Sequence, residues 1–190
     1  MKKLFKALII FLVVMVAIIL IGYILRQSSW YGKRTYPLKY GEYIVKYSKE
    51  YSLDPCLVAA VIWTESRFNP EATSPKDAMG LMQITPQTGM WGAKTLGVEN
   101  FEVEDLYDVE LNIRVGCWYI KTLKQQFNDD LELVLAAYNG GSGNVSKWLK
   151  DSQYSNDGKT LYYIPFRETR EYVSKVIAAY EQYKKLYDIG

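Results

Sequence analysis

The pattern of apolar and polar residues separates a short apolar segment at the N-terminus from a longer amphipathic chain. Residues 7–25 carry no charge and lie between the basic start, with Lys2, Lys3 and Lys6, and Arg26. At about 1.5 Å per residue, a helix of this length nearly crosses a hydrocarbon core of about 30 Å. We therefore predict a transmembrane helix over residues 1–26. Its lysines should stay in the cytoplasm and leave the rest of the chain outside.

A cleaved signal peptide is the alternative for this segment. Its apolar region would be about 7 to 15 residues long and would end in small residues at a cleavage site. The apolar run here is longer, and Arg26 and Gln27 follow it, so an uncleaved signal anchor fits better. Residues 27–39, with Ser, Gly, Pro and cations such as Lys33 and Arg34, are interpreted as a short tether that holds the following domain near the outer membrane surface.

The remaining chain, residues 40–190, has its apolar residues at helical spacing, and no long stretch alternates with period two. Start signals such as Asp54-Pro55 and Thr85-Pro86 and stop signals such as 139–141 bound the predicted helices. The pattern predicts one all-α domain with helices over residues 40–51, 55–66, 86–96, 109–127, 131–138, 143–150 and 165–187.

The second of these helices has an unusual composition. Residues 56–63 are apolar without a break, which is typical of a central buried helix. Glu65 lies in its last turn, where the negative end of the helix dipole and any burial both favour the neutral acid. Glu65 is therefore a candidate general acid. The alternative is a glutamate at a frayed helix end, paired with a nearby cation.

The composition excludes several classes of chemistry. The chain of 190 residues contains no histidine, which excludes Ser-His and Cys-His nucleophilic systems and removes the commonest metal ligand. Cys56 and Cys117 lack the spacing of metal or redox sites. We interpret them as small buried side chains, with a disulfide outside the membrane as the open alternative. No metal site is expected.

The charge of residues 27–190, the part predicted to lie outside the cytoplasm, differs from that of the whole chain. Removing Lys2, Lys3, Lys6 and Arg26 from the 23 basic residues leaves 19 against 21 acidic ones, a net charge of −2. A nearly neutral domain lacks the basic footprint of a nucleic-acid-binding protein. We therefore expect no nucleic-acid partner.

Four short motifs follow one another along the domain: ES at 65–66, GLMQI at 80–84, AYNGG at 137–141 and IPFRETREYV at 164–173. One of them alone would be a weak signal, but four in this order and at these intervals are specific. Together they resemble the catalytic domain of soluble-type lytic transglycosylases, glycoside hydrolase family 23 of the lysozyme superfamily. The resemblance covers about residues 40–187 and implies a lysozyme-like, mainly helical fold.

The resemblance also assigns roles. Glu65 matches the single acid/base carboxylate of the family, and Glu168 matches a carboxylate that organises the cleft and is not the nucleophile. The Gln83 amide suits sugar hydroxyls, and the Met82 side chain supplies an apolar wall. The Tyr138 phenol can reach Glu65 or the acetamido group of the substrate. Ordinary turn, core or capping roles are the alternatives for several of these residues. The predicted substrate-binding set is Ser74, Met82, Gln83, Tyr138, Asn139 and Glu168.

The implied activity is cleavage of the β-1,4 bond between N-acetylmuramic acid and N-acetylglucosamine in peptidoglycan glycan strands, with formation of a 1,6-anhydromuramyl end. It needs no metal or organic cofactor. Two alternatives stay open from the sequence. One is a muramidase that hydrolyses the same bond on the same scaffold. The other is a non-catalytic, membrane-anchored glycan-binding or scaffold protein.

Overall fold

The computed structural model describes residues 2–27 and 29–189. Met1 of the predicted transmembrane helix, Ser28 of the tether and Gly190 of the domain lie outside the described residues. The chain divides between Pro37 and Leu38 into two compact units. The first unit contains α1 (Lys2–Gln27) and α2 (Ser29–Thr35). The helix α2 occupies much of the predicted tether.

The helix α1 contains a candidate membrane span. Its segment Phe5–Ile24 has a mean hydropathy of 3.2, and none of its most apolar window is buried. It is the one helix among the described residues that is long and apolar enough to cross a membrane, judged by length and composition. A signal sequence near the N-terminus would satisfy the same criterion.

The second unit is built from helices, which confirms the all-α prediction. The described residues form no strand; two isolated bridges join Met79 to Thr73 and to Ile84. A short 3-10 helix, Val103–Tyr107, was not predicted. The α-helices are α3 (Gly41–Tyr51), α4 (Pro55–Ser66), α5 (Pro86–Thr95), α6 (Val109–Gln126), α7 (Leu131–Gly140), α8 (Ser142–Trp148) and α9 (Arg167–Leu186).

The helix α4 lies at the centre of this unit. The Asp54 side chain accepts a hydrogen bond of 2.7 Å from the Cys56 backbone N–H, which caps the helix start. All residues from Pro55 to Ile62 are buried. The most extensive helix–helix contact is between α4 and α9. It places the start of α9, with Glu168 and Tyr172, where it can approach the end of α4.

The loop between α4 and α5 is fixed by a buried amide on α6. Asn112 is fully buried, and its Oδ1 accepts a hydrogen bond of 2.8 Å from the Met82 backbone N–H. Its Nδ2 donates to the carbonyls of Met79 at 3.0 Å and Leu106 at 2.7 Å. Gly80 has a φ of +73°, and a Cβ there would lie 2.3 Å from the Leu106 carbonyl oxygen. Only glycine fits this turn.

The two cysteines are free and buried, as the sequence predicted. Burial raises the pKa of the Cys56 thiol to about 11, and burial also raises the pKa of Cys117. Both therefore act as small apolar groups of the core.

Candidate active site

Glu65 lies in the last turn of α4 and is partly buried. The helix ends directly after it, where Arg67 adopts a φ of 54° and its N–H bonds to the Trp63 carbonyl. The pKa of Glu65 is raised from its ordinary 4.5 to about 7, mainly by burial and to a smaller extent by the charge of Glu168. A carboxyl with this pKa can both donate and accept a proton near neutral pH.

Tyr172, on α9, lies against this carboxyl. It is close enough to lower the pKa of Glu65, partly opposing the effect of burial. Its own hydroxyl is buried and has no hydrogen-bond partner of ordinary geometry among the described residues. Burial raises the pKa of Tyr172 well above 10, so the phenol stays neutral and is available to Glu65 as a donor.

Tyr138 also approaches Glu65, but its hydroxyl bonds elsewhere. It donates to the Met82 carbonyl at 2.8 Å. Burial raises the pKa of Tyr138 well above 10, and the nearby Glu65 charge adds to this. In this structure the phenol therefore supports the turn at residues 80–83 rather than donating to Glu65.

A cavity of about 310 Å³ opens at Glu65. It gathers the candidate acid and all but one of the predicted substrate-binding residues. Besides Glu65, the predicted residues in its wall are Ser74, Gln83, Tyr138, Asn139 and Glu168.

Met82, expected from the resemblance to supply an apolar wall, is the exception, because its side chain does not line this cavity. Its side chain is fully buried and packs against Gly116 on α6, where an added Cβ would lie 2.2 Å from the Met82 sulfur. The missing side chain of Gly116 leaves the space that Met82 fills. Met82 contributes to the site through its backbone carbonyl.

Two residues of the cavity wall hold their own loop in shape. The Ser74 Oγ accepts a hydrogen bond of 3.0 Å from the Ala78 backbone N–H, so the turn-serine alternative describes part of its role. Gln83 has a φ of 49°, and its Nε2 donates to the carbonyls of Ala72 and Gly80, both at 3.0 Å. The side chains are thereby held in fixed positions in the wall.

The opposite wall comes from α7 and α9. The Asn139 Oδ1 accepts a hydrogen bond of 2.8 Å from the Thr169 hydroxyl, which joins the two helices. Glu168 is exposed, and its carboxylate lies 3.6 Å from the Lys76 ammonium. This ion pair connects α9 to the loop that carries Ser74.

Two larger cavities adjoin the central one and extend it into a cleft. A cavity of about 530 Å³, the neutral arm, shares Gln83, Tyr138 and Asn139 with the centre. A cavity of about 500 Å³, the charged arm, shares Lys76, Asn139 and Glu168 with it. Glu65 thus lies in a cavity that adjoins both arms, and the three cavities together form the cleft. The sequence motifs gave no indication of these arms.

A family model described as "Transglycosylase SLT domain" matches residues 42–161. The chain belongs to this family. The match contains Glu65, the GLMQ turn and Tyr138–Asn139 and ends before α9. Glu168 is on α9, beyond the matched residues, so its position in the cleft of this SLT domain depends on how α9 packs.

Relatives and solved structures agree with this assignment. The soluble lytic murein transglycosylase of Salmonella typhimurium is 35% identical over 150 residues, covering 78% of this chain and 23% of the relative. The membrane-bound lytic murein transglycosylase C of Pectobacterium atrosepticum is 30% identical over 175 residues, covering 77% and 47%. The crystal structure of the 70 kDa soluble lytic transglycosylase of Escherichia coli has a TM-score of 0.72 at 31% identity, covering 82% of this chain and 25% of that one. The chain thus spans about a quarter of the length of its soluble relatives.

Proposed function

We propose that this protein is a peptidoglycan lytic transglycosylase that cleaves the β-1,4 bond between N-acetylmuramic acid and N-acetylglucosamine. The observation that carries the proposal is Glu65, a carboxyl with a pKa of about 7 in a cavity that adjoins both arms of the cleft. The names of the relatives support the substrate and the reaction. So does the crystal structure of a Pseudomonas aeruginosa lytic transglycosylase, an inactive mutant with a glutamate-to-glutamine substitution.

The reaction begins with the protonated Glu65, which donates its proton to the glycosidic oxygen as the bond from that oxygen to C1 of the muramyl residue breaks. The 2-acetamido oxygen of the substrate stabilises C1 as an oxazolinium. The Glu65 carboxylate then removes the proton of the muramyl 6-hydroxyl, and O6 bonds to C1. The 1,6-anhydro ring closes, the acetamido group is restored, no water is consumed, and Glu65 ends protonated as it began.

Glu168 is not the nucleophile in this proposal. A retaining pair needs a second carboxylate positioned against the anomeric carbon, whereas Glu168 is exposed and paired with Lys76 across the cavity. Its role is electrostatic, since its charge helps to keep Glu65 protonated.

The test is the product of murein digestion. The full chain, purified in detergent, should release muropeptides with anhydro ends, which are one water lighter by mass spectrometry than reducing ends. The Glu65→Gln variant should release none. Reducing ends would indicate a muramidase, and an unchanged yield with Glu65→Gln would refute the acid.

We also propose that α1 anchors the protein in the membrane with the SLT domain outside the cytoplasm, facing the peptidoglycan. The candidate membrane span in α1 and the membrane-bound relatives support membrane association, and the lysines at the start of α1 favour this orientation. Protease added to intact spheroplasts should digest the SLT domain. The N-terminal residue of the protein recovered from membranes should still be that of the intact chain, because a cleaved signal would remove α1.

A further inference from the structure

The neutral arm contains an aromatic surface that no motif indicated. Trp91, on α5, lines this arm and is 49% exposed. Its ring meets the buried Trp118 edge-on, with centroids 4.8 Å apart and planes at 80°, and meets Tyr119 at 6.3 Å and 76°. Such T-shaped contacts orient an aromatic ring. The indole is therefore held in a fixed orientation in the wall of the neutral arm, and about half of the residue's surface stays exposed.

The other groups of the arm define the chemistry of its ligand. Gln83, Gln87 and Thr88 supply amide and hydroxyl groups, and residues 140–143 supply a glycine-rich backbone. None of the described residues that line this arm is charged. A nucleotide would need cations for its phosphates, and an ionised peptide would bring charges without partners. The lining fits a neutral ligand that has hydroxyl or amide groups and an apolar face.

A pyranose ring has these properties. One of its faces presents C–H groups, which carry a small positive charge and pack against the negative face of an indole. Its hydroxyl and acetamido groups can bond to the glutamines and threonines of the arm. The charged arm differs, since Lys76 and Arg167 line it. The two arms are thus chemically unequal.

We infer that Trp91 is a sugar-binding platform, outside the catalytic cavity, which stacks against an N-acetylated sugar of the glycan strand. The inference rests on the proposed function for the identity of the strand. Trp91 does not line the cavity at Glu65, so its contact is the same before and during bond cleavage. Uniform binding of this kind lowers KM and leaves kcat unchanged.

The test compares Trp91→Ala with Trp91→Phe and with Met90→Ala in the full chain. Met90 is the matched control because it is the neighbouring residue on α5, is 54% exposed and does not line the neutral arm. Binding of uncrosslinked, peptide-free glycan strands is measured in a Glu65→Gln background, which separates affinity from cleavage.

Trp91→Ala should weaken strand binding about tenfold, whereas Trp91→Phe and Met90→Ala should stay within about twofold of the parent. In the active background, Trp91→Ala should raise KM about tenfold with little change in kcat. Equal effects of Trp91→Ala and Met90→Ala, or a lower kcat at constant KM, would overturn the inference.

A second measurement does not depend on the folding of Trp91→Ala. In a Glu65→Gln, Trp30→Phe background, which removes the other strongly exposed tryptophan, bound strands should reduce quenching of tryptophan fluorescence by acrylamide. Unchanged quenching with strands bound would contradict the platform. Failure of the platform can be told apart from failure of the proposed function. If anhydro products form but the KM of Trp91→Ala is unaltered, only the platform is refuted. Trp91-dependent binding without anhydro products supports the platform and refutes only the reaction.

Discussion

Replacing the candidate acid should stabilise the protein, and the gain should grow with pH. In the unfolded chain the Glu65 carboxyl ionises near its ordinary pKa of 4.5, whereas in the folded domain it ionises at about 7. Between these values the folded state holds a proton that the unfolded state has lost. The free energy of unfolding therefore falls as pH rises through this window, and above about pH 7 the loss is complete.

The size of the loss follows from the two pKa values. One pKa unit corresponds to 1.36 kcal/mol, so moving from 4.5 to about 7 gives an upper limit of about 3 kcal/mol at pH 8. Glutamine cannot ionise, so the free energy of unfolding of Glu65→Gln does not fall in this way as pH rises. For a domain of this size, each kcal/mol shifts Tm by roughly 2–4 °C. At pH 8, Glu65→Gln should thus melt as much as roughly 10 °C above the wild type.

The assay is thermal unfolding of both proteins, followed by near-ultraviolet circular dichroism at pH 4.5, 6 and 8. Glu71→Gln, the same change on an exposed loop residue, controls for the loss of one negative charge. The difference between Glu65→Gln and wild type should be small at pH 4.5 and largest at pH 8. A difference in Tm that does not grow with pH would refute burial as the cause of the raised pKa.

Three further predictions concern buried side chains of the domain. Tyr172→Phe removes a phenol that lowers the pKa of Glu65, so the alkaline limb of the kcat profile should move to higher pH; an unmoved limb would exclude the contact. Asn112→Ala removes the side-chain hydrogen bonds to three backbone groups and should cost about 3 kcal/mol in urea unfolding, and a loss below about 1 kcal/mol would show that water replaces the amide. Cys56 and Cys117 are buried and should react with a thiol reagent at pH 8 only after denaturant is added; rapid labelling of the native protein would contradict the packing.

The helices could be predicted because their signals are local. Thr85 and Asp108 accept hydrogen bonds from the Thr88 and Leu111 backbone N–H groups, at 3.3 and 2.8 Å, and so cap α5 and α6 as their sequence positions suggested. Such caps lie within one turn of the helices that they bound. The 3-10 helix escaped prediction because five residues are too few for a periodic pattern.

A motif can predict a site residue only where the residue's position in the motif also determines which groups surround it in the fold. Met82 directly precedes Gln83 of the cavity wall, yet its side chain lies in the core because Gly116, far along the chain, leaves space for it. The bond from Tyr138 to the Met82 carbonyl and the ion pair of Lys76 with Glu168 are also long-range. No sequence period reports contacts of this kind.

The acidity of Glu65 combines both kinds of information. The sequence indicates a carboxylate at the end of an apolar helix, but the largest cause of its raised pKa is burial, which the loop after α4 and the helix α9 complete. The same packing buries Tyr172 and places Glu168 nearby. Because the core itself sets the strength of the acid, changes that loosen the contact of α4 with α9 should lower the pKa of Glu65 even where they touch no residue of the cleft.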